Sequence, residues 1–145
     1  MRKTIEELLE TPYWVADILP EQVKSNSAGQ YFSVERYLMR EPRRTEIKRR
    51  HAELVLKLNC YYDVSLDEET EQNPPPERIA AAVLSRHVCV LVGDSLIISD
   101  PDDTYLTIYN PDERLLSLLD KLCAGAGLYL WQQESGKQGG KEWQI

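Results

Sequence analysis

Asp100, Asp102 and Asp103 stand directly before an alternating run, Thr104-Tyr-Leu-Thr-Ile-Tyr109. Carboxylates so close together could ligate a hard cation such as Mg²⁺ or Ca²⁺, and a bound cation could assist hydrolysis, with Asp17 or a tyrosine nearby. The spacing lacks the glycine and closing glutamate of a calcium loop, and no Glu-x-Lys follows as in one nuclease pattern. Asp100-Pro101 also opens a turn, since proline presets φ and aspartate bonds the backbone that follows. That structural reading is preferred, so no metal ligand is assigned beyond these three candidates.

In the run itself Leu106 and Ile108 share one strand face, and Tyr105, Thr107 and Tyr109 share the other. If Leu106, Ile108, Leu128 and Leu130 face helices, Tyr129 and Trp131 join the tyrosines. Tyr105, Tyr109 and Trp131 are therefore binding candidates together with the three aspartates. An open aromatic face could stack bases or hold a peptide or flat ligand. The preferred expectation is that the N-terminal half, with Tyr13 and Trp14, covers it as a second core layer.

Asp17 is a lone carboxylate in an apolar strand, where unpaired charge is costly. A perturbed acid or base is one reading, and a bond to a neighbouring group is the preferred one. His51 lies on the apolar stripe of a helix and His87 at a helix–strand junction, so both read as core or boundary residues. No Gly-x-Ser-x-Gly is present, and the one glycine-rich stretch, 136–140, opens no helix. No catalytic residue and no cofactor is assigned.

Thr4 and Glu7 make a capping box for a first helix ending near Glu10. A strand is expected from Tyr13 to Leu19, and a helix from Tyr31 to Glu41, stopped by Pro42. Ile47, His51, Leu54, Val55 and Leu58 give the next helix its apolar stripe. A strand from Tyr61 to Asp67, an acidic loop and a proline-led helix through Ile79, Ala80, Val83 and Leu84 follow. Val88–Val92 and Ser95–Ser99 flank a Gly93-Asp94 turn with glycine first, as type II′ prefers. With Thr104–Tyr109 they make a meander. Asn110 is read as the cap of a helix containing Leu115, Leu116, Leu119, Leu122 and Cys123, which stops at Gly125 and Gly127. Leu128–Trp131 is the last strand. The order αβααβαβββαβ is that of an α+β domain over residues 1–133, with a mixed or antiparallel sheet and helices mainly on one face. Residues 134–145 read as a mobile tail.

The 145 residues carry a net charge of −7, unevenly spread. Residues 36–57 hold eight bases against three acids, a local +5, so the remainder carries −12. Acids recur without a base from Asp63 to Glu77. Such a dipolar chain suits charged partners. The overall charge opposes DNA binding, and nucleic acid is not an expected partner. No apolar run approaches the roughly 18 residues that span a membrane, and no signal peptide is read. Cys60, Cys89 and Cys123 are expected to be buried, reduced thiols in a cytoplasmic protein.

Four segments together, Thr11-Pro-Tyr-Trp-Val-Ala-Asp-Ile-Leu-Pro20, Gly29-Gln-Tyr-Phe32, Leu56-Lys-Leu-Asn-Cys-Tyr-Tyr-Asp63 and Asp100-Pro-Asp-Asp-Thr-Tyr-Leu-Thr-Ile-Tyr-Asn-Pro111, resemble a group of small bacterial cytoplasmic proteins. The resemblance covers the chain to about Trp131. It implies a single-domain bacterial protein and brings no activity or catalytic residues with it.

The leading functional expectation is a protein-binding module, immunity- or antitoxin-like, whose acidic and aromatic surface meets a basic protein partner. A metal-assisted hydrolase using Asp100, Asp102 and Asp103 is the alternative. Binding of single-stranded nucleic acid through Tyr105, Tyr109 and Trp131 is the third. Monomer and homodimer are both open.

Overall fold

The computed structural model describes residues 3–23 and 29–133. The expected tail, 134–145, lies outside them, as does the stretch 24–28, where the sequence offers no helix or strand. Among the described residues, six strands form one sheet in the order β2-β3-β4-β5-β1-β6, and every neighbouring pair is antiparallel. The strands are β1 (Tyr13–Asp17), β2 (Val64–Leu66), β3 (Val88–Val92), β4 (Ser95–Ser99), β5 (Leu106–Tyr109) and β6 (Tyr129–Gln132). The helices are α1 (Ile5–Leu8), α2 (Gly29–Leu38), α3 (Arg43–Asn59), α4 (Pro76–Ser85) and α5 (Glu113–Ala126). The element order and the α+β class agree with the pattern read from the sequence. No helix among the described residues is long and apolar enough to cross a membrane.

Directly opposed residues of an antiparallel pair share a face, so the registers assign the two sides of the sheet. Ala16 opposes Leu106 and Leu130, and Ile97 opposes Ile108 and Val90. This face joins Val64, Leu66, Leu54, Val55, Leu58, Ile79, Val83, Leu115 and Leu119 in one buried core. Thus α3, α4 and α5 cover it, drawn there by their apolar stripes. Leu91 and Leu96 point the other way, where Leu8 of α1 covers them with Ile5, Cys89, Ile98 and Tyr109 packed around.

Local chemistry explains the element ends. The Thr4–Glu7 capping box forms with both reciprocal bonds, but α1 stops at Leu8. Gly93 takes φ +57, while Asp94 has no positive φ, as a first-position glycine of a type II′ turn requires. The expected Asn110 cap moves. Asn110 sits at φ +62 with its amide donating to the Asp94 carbonyl, and Asp112 caps α5 by accepting from the Leu115 N–H at 2.8 Å. Asn110 tolerates the left-handed conformation, so it serves the turn, and the cap passes two residues on. Gly125 lies within α5, and Gly127 ends it at φ +76. The strand expected over Tyr61–Asp67 shrinks to Val64–Leu66, because Tyr61 and Tyr62 close the last turn of α3 onto the Leu58 carbonyl.

Candidate functional site

Antiparallel topology collects particular termini at one end of the sheet. There β2 leads to Asp67, Glu68 and Glu69, β3 starts after His87, β4 leads to Asp100, and β1 finishes at Asp17. Two acidic stretches far apart in sequence therefore share one end. They are also linked: Arg86 Nη1 lies 3.0 Å from Asp67 Oδ2, and its neighbour His87 lies 3.3 Å from Asp100 Oδ2. Glu68, Glu69 and Asp102 are exposed, while Asp67, Asp100 and Asp103 are half-buried.

The three sequence candidates have different duties. Asp100 closes the expected turn: its Oδ1 accepts from the Asp102 N–H at 3.0 Å, and its carbonyl accepts from the Asp103 N–H at 3.1 Å. Burial pushes the Asp103 carboxyl up to about 6, and Asp100 adds to the effect while Lys48 opposes it. Among the described residues no three His, Cys, Asp or Glu side chains converge as a group able to hold a metal ion.

Behind this loop lies a buried polar cluster that sequence reading only partly anticipated. Lys48, on α3, is fully buried, and its Nζ donates to Ser99 Oγ at 3.0 Å and to the Asp100 carbonyl at 2.7 Å. Burial draws its ammonium down to about 8, against the Asp103 and Asp100 carboxylates that hold it up. The signal was its spacing: Lys48, His51, Val55 and Leu58 share one helical stripe. The rule that lysine stays exposed pointed the other way.

His51, one turn along, is also fully buried, and neither ring nitrogen makes a hydrogen bond. Burial holds its imidazole well below the usual value, and the Lys48 charge adds to this, although the Thr104 main chain opposes them. A core or boundary position is what the sequence leads one to expect for His51, and the core is where it lies. Asp17 is buried and accepts from the Ile18 N–H at 2.6 Å and from Thr104 Oγ1 at 3.2 Å. Burial pushes it up to about 6 despite these bonds. The bonding role expected for Asp17 is thus present.

Tyr31 of α2 bonds Glu35 at 3.2 Å, and these two join Asp17, Asp103 and Tyr105 in one electrostatic neighbourhood. Burial and the carboxylates push both phenols up.

The aromatic candidates divide. Register places Tyr13, Thr107, Tyr109, Tyr129 and Trp131 on the face opposite the main core, while Trp14 packs into that core. Part of this face is covered. Val15, between Thr107 and Trp131, is fully buried, Tyr13 and Tyr109 rings meet at 5.0 Å, and Trp131 Nε1 donates to the Leu19 carbonyl at 3.2 Å. The expected cover is not the one formed: Tyr13 is a strand residue of this same face and Trp14 faces the main core, while Leu8 and Ile5 of α1 cover part of the face and Tyr129 keeps 51% of its surface exposed. Of the cysteines expected to be buried, only Cys123 is. Cys60 is exposed, because it follows the last residue of α3, and Cys89 is half-buried; all three are free thiols.

Chemically, Lys48 beside Ser99 has the atoms of a lysine-activated serine nucleophile. Both side chains are fully buried, so no substrate reaches the hydroxyl. Two surface grooves of about 380 and 430 Å³ lie elsewhere, one against Leu128–Leu130 and one between Tyr62 and Asp112. The arrangement is suited to holding an acidic loop in place. Comparison with protein-family models, curated proteins and solved structures finds no match to this chain.

Proposed function

We propose that this chain is a protein-binding module that engages a basic partner through the acidic end of its sheet. The observation that carries the reading is the meeting of Asp67–Glu69 with Asp100–Asp103, linked through Arg86 and His87. Exposed carboxylates on this rim attract and orient a cationic surface, and Tyr129 adds an exposed aromatic near the end of the same sheet. Neutralisation of a basic toxin site, as by an immunity protein or antitoxin, is the concrete form of the reading. A cytoplasmic setting fits its three unpaired thiols.

The test begins with affinity capture from native lysate and continues with the purified pair. Charge reversal at Glu68, Glu69 and Asp102 to lysine should weaken binding at least about tenfold and remove most of its salt dependence. Reversal of the exposed Glu53, which lies on α3, should leave it unchanged. Binding that survives reversal of the rim would sink the reading.

A further inference from the structure

The two edges of the sheet are finished differently. At β2 the Val64 N–H donates to Asn73 Oδ1 at 2.9 Å, and the Val64 carbonyl accepts from the Asn73 N–H at 2.6 Å. The chain after β2 thus closes that edge. At β6 the Gln133 N–H donates to the Tyr13 carbonyl at 3.1 Å, which makes these two a hydrogen-bonded pair. Such pairs alternate along antiparallel strands, so the backbone groups of Trp131 and Tyr129 also face β1. Those of Leu130 and Gln132 point outward, and among the described residues they have no partner. The strand, Tyr-Leu-Trp-Gln, also lacks the charges and prolines that commonly blunt an edge.

A groove of about 380 Å³ lies beside the start of this strand, between Leu128 and Leu130 on one side and Asp120 and Ala124 of α5 on the other. Leu130 belongs to the face that α5 covers, so side chains of an added strand on that face stand next to the groove. Asp120 is the one charged residue of the lining, and among the described residues no base forms an ion pair with it. Arg50 approaches Gly127 at the groove wall without pairing with Asp120. We propose that the open edge of β6 and this groove form a peptide-binding site. It takes an extended segment as an added strand, with an apolar side chain in the groove and a lysine or arginine at Asp120.

Two donors and two acceptors in a row, at strand spacing, are matched by another extended backbone whatever its side chains. Preference then comes from the groove and from Asp120. On the other face the exposed Tyr129 ring meets side chains of the opposite parity. A second copy of β6 offers the same backbone but no base for Asp120, so charge favours a different, cationic segment. The site lies at the edge of the sheet away from β2 and its Asp67–Glu69 rim. It goes beyond the acidic-end reading and does not depend on it.

The probe is a random peptide library displayed on phage and panned against the full chain. We expect enriched peptides that alternate apolar side chains and carry a lysine or arginine. Gln132→Pro removes one outward N–H and keeps the bonds to β1, so it should weaken the resynthesised peptides at least about fivefold. Gln132→Ala keeps that N–H and should not. Asp120→Asn should cost about threefold and remove the preference for a base. Charge reversal at Glu68, Glu69 and Asp102 should leave these affinities unchanged, which separates this site from the rim. Hydrogen exchange on the native chain covers the case in which Gln132→Pro fails to fold. The Leu130 and Gln132 N–H groups should exchange readily in the free chain and become protected when peptide binds. Four results overturn the site: no enrichment, peptide binding lost with the rim, equal effects of the two Gln132 variants, or protection of both N–H groups in the free chain, whether by a second copy or by residues 134–145.

Discussion

The Lys48 ammonium and the Ser99 hydroxyl meet at 3.0 Å with neither side chain exposed to solvent. A lysine in such a place is usually paired with a buried carboxylate. Here its direct bonds go to a hydroxyl and a carbonyl, and the Asp100 and Asp103 carboxylates act at longer range. The cluster therefore bears a charge at neutral pH that an apolar side chain would not.

Lys48→Met tests this balance. The Lys48 value falls from 10.5 to about 8, so its contribution to stability is present above 10.5 and lost as pH falls through about 8. From about pH 7.5 to about pH 9.5 the native chain should gain about 2 kcal/mol relative to Lys48→Met. Urea titrations of both proteins at the two pH values measure the change. A constant gap would place the ammonium in water.

Asp17→Asn should stabilise the fold at neutral pH. The Asp17 carboxyl is raised from 3.8 to about 6, so its favourable contribution is present below 3.8 and lost as pH rises through about 6. Asparagine keeps an oxygen to accept from Ile18 and Thr104 without the charge. A gain of about 1–3 kcal/mol is expected at about pH 7.5, shrinking toward zero at about pH 4. Denaturation at the two pH values decides it.

His51→Leu should have the opposite pH signature. With its ring held well below 6.5, His51 contributes stability that is present above 6.5 and lost as pH falls toward its lowered value. The leucine variant should be less sensitive to acid, and its advantage should grow as pH drops below 6.5. Removal of two unbonded ring nitrogens from the core adds to that advantage at every pH. Thermal melts across the range, with parallel curves as the contrary result, test this.

Asp112→Ala should cost about 0.5–2 kcal/mol, because the side chain caps α5 through the Leu115 N–H. Asn110→Gly should cost less than Asn110→Ala, since glycine accepts φ +62 without a Cβ. Equal losses for the two Asn110 variants would assign its role to the side-chain bond with the Asp94 carbonyl.

Much of this architecture was legible in the sequence because it depends on neighbours in the chain. The Thr4–Glu7 box, the Gly93-Asp94 turn, the Leu106/Ile108 alternation and the Asp100 turn each follow from short-range geometry, and each is present. The shift of the α5 cap from Asn110 to Asp112 shows the limit. Both residues suit a cap, and contact with Asp94 across the hairpin chose between them.

The candidate site was legible only in pieces. Sequence by itself determined that Asp17, His51 and the three aspartates would need explaining, since their types conflict with apolar surroundings or crowd like charges. Tertiary structure decided what they do. The antiparallel order β2-β3-β4-β5-β1-β6 brings Asp67, Asp100 and Asp17 to one end, across separations of up to 83 residues between Asp17 and Asp100. It also sets Lys48 beneath Ser99, 51 residues away. Periodicity tells which face of an element is buried, whereas strand order and register choose which buried side chains meet, and those arise from pairings between distant segments.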